Sequence, residues 1–268
     1  MIMEFLSHPF IVRAIVCGGL ICLCAALLGV TLVLKRFSMI GDGLSHVGFG
    51  ALSLALALNA APLPVAAPIV AASAFLLLKL SENSRIKGDA AIAIISTSAL
   101  AFGVIVTSLS GGTNADISSL MFGSILAMNK ADVYISACLA VIVITVFVLF
   151  YNKLFAVTFD ESFSKAAGVN VSAFNSLIAL LTAVTVVIGM RIMGTLLISS
   201  IIIFPALTSM RVFKHFRSVV ISSAVVSVVC FIFGIFLSFV FEIPAGAAVV
   251  AANLLAFALF SLKPLIVK

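Results

Sequence analysis

Residues 41–50 read Gly-Asp-Gly-Leu-Ser-His-Val-Gly-Phe-Gly and place a carboxylate at Asp42 and an imidazole at His46. A four-residue step is about one helical turn, so both side chains leave the same helix face. Asp and His are both ligands for divalent metal ions. The flanking stretches are almost wholly apolar, and ionisable groups at membrane depth are costly unless they pair, meet water or bind something. Two readings follow: a structural pair, with Asp42 capping a helix and His46 hydrogen-bonded to a neighbour, or a metal-contacting pair. The second is preferred, because such groups mark ion pathways. The glycines at 41, 43, 48 and 50 permit close helix packing or a locally unwound segment.

A second candidate stretch runs from Gly194 to Ala206. Pro205 frees a backbone carbonyl near Ile201 and predicts a kink. With hydroxyls at Thr195, Ser199 and Ser200, this helix could line a pathway or act as a hinge; Pro, Ser and Thr are also common in ordinary membrane helices. Elsewhere the bland reading prevails. Asn253 is expected to hydrogen-bond between helices, and Asp89 to cap a helix. Pro244 is expected in the turn opening the last helix. Met190, Met193 and the five cysteines fall in apolar runs and read as packing residues. His215 sits among Arg211, Lys214 and Arg217, which repel cations.

These groups need elements to hold them. Of the 268 residues, 64% are hydrophobic and 9% charged, and the mean hydropathy is +1.39. Soluble domains are about a quarter charged, so a water-soluble fold is excluded. Unbroken apolar runs exclude an outer-membrane barrel, whose strands alternate. The reading is an all-α polytopic membrane protein forming a single transmembrane domain over 1–268. Its hydrophobic runs lie at about 11–34, 41–58, 64–79, 90–109, 133–151, 174–190, 194–211, 218–241 and 245–262, giving eight to nine spans. The first run reads as a retained helix rather than a cleaved signal. Residues 117–128 are too short to span and predict a half-helix or an external amphipathic helix.

Alternating these spans puts twelve cations on one side (Lys35, Arg36, Lys79, Arg85, Lys87, Lys153, Lys165, Arg211, Lys214, Arg217, Lys263, Lys268) and Arg13, Lys130 and Arg191 on the other. The basic side is then cytoplasmic, with the N-terminus outside and the C-terminus inside. His46 lies ten residues beyond Arg36, about 15 Å along a helix and half-way through the hydrocarbon core. The cations sit in short loops rather than on one face, so no nucleic-acid partner is implied. The longest cytoplasmic connection, about 152–173, predicts a short surface helix ending on Gly168. No phosphate-binding loop is found, so any ATP hydrolysis belongs to a separate chain.

Together these stretches resemble the permease subunits of zinc and manganese ABC importers. The matching residues are Leu34 to His46, Leu120 to Leu126, Phe159-Asp160 through Gly168, Gly194 to Ala206, and Pro244-Ala245-Gly246, in the family's order and across nearly the whole chain. Gly43 stands where the family often has alanine. The resemblance implies a homodimeric pore in a bacterial plasma membrane. It also implies a cytoplasmic ATPase dimer and an extracytoplasmic metal-binding protein as partners. Asp42 and His46 would lie on the metal path. The segment of about 156–172, with Phe159, Asp160, Ala166 and Gly168, would dock the ATPase. No resident cofactor is implied; the metal is cargo. If the pair faces a dimer axis, two copies give two imidazoles and two carboxylates, a set that suits tetrahedral zinc and accepts manganese with added waters. Zinc is preferred, with manganese or iron as alternatives.

Three other classes fit less well. An ion-coupled secondary transporter would be expected to show internal repeats and several intramembrane acids; Asp42 is the one acid well inside an expected span. An intramembrane metalloprotease needs a zinc triad, and the three histidines, His8, His46 and His215, are far apart in sequence. A purely structural subunit leaves the Asp–His pair unexplained.

Overall fold

The computed structural model describes residues 9–83, 88–123 and 129–266, and the described residues contain helices and no strands. In chain order the helices are α1 (Pro9–Leu34), α2 (Ser38–Ala57), α3 (Pro62–Asn83), α4 (Gly88–Leu109), α5 (Asn114–Phe122) and α6 (Lys130–Leu149). They continue with α7 (Tyr151–Phe159), α8 (Glu161–Ala166), α9 (Val171–Met193), α10 (Thr195–Met210), α11 (Phe216–Phe241) and α12 (Ala245–Ile266). Prolines open α1 and α3, where a missing N–H costs nothing. Asp89 lies inside the first turn of α4 rather than at the cap position expected of it.

Eight of these helices are long and apolar enough to cross a membrane, and α10 is a shorter apolar helix of 16 residues. The expected eight to nine spans therefore match the observed elements. The short elements correct two boundaries. The run expected at 133–151 ends at Leu149, and a turn at Phe150 starts α7. The expected single surface helix is instead two, α7 and α8, hinged at Asp160. Of the expected half-helix, Ile117 to Phe122 belongs to α5, while 124–128 lie outside the described residues; so does His8.

Lipid tails are as apolar as leucine, so packing rather than hydrophobicity joins these helices. α1 and α2 form the centre: 72% of each apolar window is buried, against 28% for α3, α4, α11 and α12. α1 packs on α6, α9, α10 and α11, and α2 packs on α3, α4, α9 and α10. Small residues permit this. A Cβ at Gly29 would lie 2.0 Å from the Ile202 carbonyl oxygen, so α1 and α10 touch backbone to backbone. Polar groups tie the ends together. Asn129 and Asp132 form a capping box at the start of α6, and Asp132 pairs with Arg191 in the last turn of α9. Asn253 donates to the Val249 carbonyl of its own helix at 2.9 Å, not to a neighbouring helix as expected.

Candidate metal site

Asp42 and His46 lie one turn apart on α2, which runs unbroken through the four glycines. The glycines serve close packing rather than unwinding. A Cβ at Gly48 would meet the Met190 thioether at 2.2 Å, and one at Gly50 would meet the Ala99 carbonyl oxygen at 2.8 Å. Helices α3, α4, α9 and α10 thus grip α2 from several sides. From Ile40 to Ser53 every residue is buried except Asp42 and His46. Their side chains keep 39% and 26% exposure. Hence the stretch from Ile40 to Ser53 is open at these two positions only, and they are its two ionisable groups.

His46 Nε2 stands 3.6 Å from Asp42 Oδ2, adjacent but beyond hydrogen-bond length. His46 Nδ1 is buried without a hydrogen-bond partner among the described residues. The 3.6 Å separation leaves His46 Nε2 and the Asp42 carboxylate without a hydrogen bond to each other, so the pair is not closed on itself. Among the described residues no cluster of three or more His, Cys, Asp or Glu could hold a metal. One chain therefore offers two donors here.

The second candidate stretch meets the first. Ser199 Oγ lies 2.7 Å from Ser45 Oγ, and Ser45 also hydrogen-bonds the Asp42 carbonyl at 2.8 Å. Ser199 in turn reaches the Thr195 carbonyl at 3.0 Å. Thr195 and Pro205 are buried, Ser200 bonds within its own helix at 3.1 Å, and Ser199 alone of these keeps partial exposure. Ser45, absent from the sequence-based candidates, is the link between α2 and α10.

α9 and α10 meet at a sharp break at Gly194, whose φ of 87° and ψ of 161° are open to glycine alone. Gly123, at φ 76°, ends α5 against it. A Cβ at Gly194 would lie 2.4 Å from the Met121 oxygen, and one at Gly246 would lie 2.8 Å from the Phe122 oxygen. Three stretches far apart in sequence thus close on one another at the α6 N-terminal end of the bundle.

The expected docking segment lies at the opposite end. Asp160 caps α8 by accepting from the Phe163 N–H at 2.8 Å. Gly168, at φ 78°, ends it, with Gly168 N–H donating to the Lys165 oxygen and Val169 N–H to the Ser164 oxygen. Phe159, Asp160, Phe163, Ala166 and Gly168 are all exposed. Glu161 joins this helix to the bundle. Lys35 donates to Glu161 at 2.7 Å and to Asn175 of α9, and Asn175 also donates to Glu161 at 3.2 Å. Partial burial pushes the Glu161 carboxyl up, but the Lys35 and Asn175 hydrogen bonds and the charges of Lys35 and Lys165 outweigh it and hold the carboxyl below its ordinary value. Lys35 and Glu161 were not legible as a pair: 126 residues separate them, and a basic doublet before a span reads first as a topology signal.

Both the sequence and the fold match known proteins. The chain is 27% identical over 96% of its length to the manganese transport system membrane protein MntC of Halalkalibacterium halodurans, covering 89% of that protein. It is 28% identical over 93% of its length to the high-affinity zinc uptake system membrane protein ZnuB of Haemophilus influenzae, covering 96% of it. A chain in the solved structure of PsaBC from Streptococcus pneumoniae in complex with Fab superposes with a TM-score of 0.86 at 26% identity, covering 97% of this chain and 95% of that one. Residues 7–263 match the ABC 3 transport family. The chain belongs to the ABC 3 transport family, the permease-subunit family of zinc and manganese importers that its motifs resemble.

Proposed function

We propose that this permease imports a divalent transition-metal ion through a pore shared by two copies of the chain. A separate cytoplasmic ATPase dimer would power it, and an extracytoplasmic metal-binding protein would supply the ion. The observation that carries this reading is the exposure of Asp42 and His46 alone along an otherwise buried stretch of α2. Two such pairs across a dimer axis supply four donors, enough to replace the ion's water shell briefly. Few donors per chain suit a site that must also release its cargo.

Zinc is the cargo that two imidazoles and two carboxylates suit best. Manganese is the second reading, supported by the likeness to the manganese transport system membrane protein MntC and by the tolerance of manganese for oxygen ligands. The exposed face of α7 and α8 docks the ATPase, and the Lys35–Glu161–Asn175 cluster carries its movement to the turn before α2. Thr195, Ser199 and Pro205 belong to the moving wall of the pore, with the Ser45–Ser199 bond joining that wall to the metal helix. The excess of basic residues near α8 puts that end in the cytoplasm of a bacterial plasma membrane, leaving the N-terminus outside and the C-terminus inside.

Uptake of labelled zinc into vesicles holding the reconstituted complex, with manganese as competitor, tests this. ATP-dependent accumulation of either ion supports the reading, and the competition order assigns the cargo. Accumulation without ATP, driven by a proton or sodium gradient, would instead mark an ion-coupled secondary transporter.

A further inference from the structure

α6 and α11 both pack on α1, and between them they leave a groove of about 650 Å³ floored by Leu23 and Leu27. That volume falls within the roughly 300–1,000 Å³ of ordinary ligand sites. Phe147 of α6 and Ile221 of α11 form apolar walls, and Tyr151, Asn152 and Arg217 close one end. The groove is thus apolar along its length and cationic at one terminus. Lys153 and Lys214 are exposed near that end. The acids of the same region are engaged: Asp160 caps α8 and Glu161 pairs with Lys35. The helices lining it, α1, α6, α7 and α11, are not those that chiefly pack on α2, so the groove is separate from the Asp42–His46 line.

We propose that this groove binds one anionic phospholipid, its acyl chain along Leu23, Leu27 and Ile221 and its phosphate at Arg217. The groove lies among membrane-spanning helices, so the molecules that meet it are lipids. Basic pockets between such helices select anionic headgroups, and Tyr151 lies just beyond the end of the apolar helix α6, the position at which interfacial aromatics are enriched. Charge complementarity is what selects phosphatidylglycerol over a zwitterionic lipid with the same tails.

The test is native mass spectrometry of the full-length chain, delipidated and then titrated with phosphatidylglycerol or phosphatidylcholine of identical acyl chains. The wild type should retain phosphatidylglycerol about fivefold better, the effect of about one surface cation. Arg217→Gln should bring the ratio close to unity, while Arg211→Gln, whose guanidinium lies 5.5 Å from the Phe257 ring, should leave it unchanged. Ile221→Trp fills the groove and should lose both lipids; Val148→Trp, at a site 70% exposed, does the same if the first variant unfolds. Equal retention of the two lipids by the wild type overturns the proposal, as does a preference that survives Arg217→Gln. An inter-chain disulfide formed by Val148→Cys would also overturn it, by putting a second copy of the chain in the groove.

Discussion

Lys35 Nζ and Glu161 Oε1 lie 2.7 Å apart, joining the end of α1 to the first residue of α8. Three residues beyond Lys35 α2 begins, so under the proposed function a push on α8 would have a short polar route to Asp42. A single break leaves a nearly buried ammonium without its carboxylate. Breaking such a pair costs several kcal/mol when fully buried, and less here because Glu161 is partly exposed.

Glu161→Gln should therefore lower metal transport per ATP hydrolysed, while the complex still assembles and hydrolyses ATP. The double exchange Lys35→Glu with Glu161→Lys should recover part of the coupling. Parallel assays of ATPase rate and uptake separate this from simple loss of protein; equal losses in both would deny the link a coupling role.

The same pair sets a pH dependence. The folded Glu161 carboxyl titrates below its ordinary value of 4.5, so its contribution is complete above that value and is lost as pH falls through the lower folded value. Coupling should be flat around neutral pH with respect to this group. A thermal melt of the wild type and of Glu161→Gln should converge only in strong acid.

Docking should depend on the exposed phenylalanines in two different ways. Phe163 is 65% exposed and Phe159 58%, but Phe159 also stacks on Phe155 at 4.9 Å and on Phe216 at 6.0 Å. Phe163→Asp should cut co-purification of the ATPase by about tenfold or more, the usual weight of an interface anchor, with little change in melting temperature. Phe159→Asp should weaken both docking and stability. Co-purification and differential scanning fluorimetry on the two variants decide it.

Gly194→Ala places a side chain where the backbone is open to glycine alone and where Met121 and Gly123 leave no room. The conformational strain alone is about 1–3 kcal/mol. The variant should melt markedly lower or fail to accumulate, whereas Gly19→Ala, at a position where a Cβ meets nothing, should behave as the wild type.

Much of this was legible in the sequence because membrane helices announce themselves by length and composition. The α10 helix and the Gly168 helix end follow from local pattern, whereas the glycines around Asp42 and His46 left both a packed and an unwound helix open until the structure showed an intact one. What was not legible depends on contacts between distant segments. Ser45 reads as an ordinary small residue until Ser199 is found beside it. Gly123, Gly194 and Gly246 look like separate turns until their backbones meet. The split of the surface segment into α7 and α8 at Asp160 escaped because an N-cap aspartate inside a mixed polar segment does not by itself reveal two helices.

In the proposed function Asp42 and His46 form half of a site completed by a second copy of the chain. Metal content of the purified transporter, measured after equilibration with zinc and removal of free ion, tests this. About one ion should remain for every two chains, as four-coordinate zinc requires two donors from each, with binding lost in both Asp42→Ala and His46→Ala. One ion per chain, or undiminished binding in both variants, would contradict it.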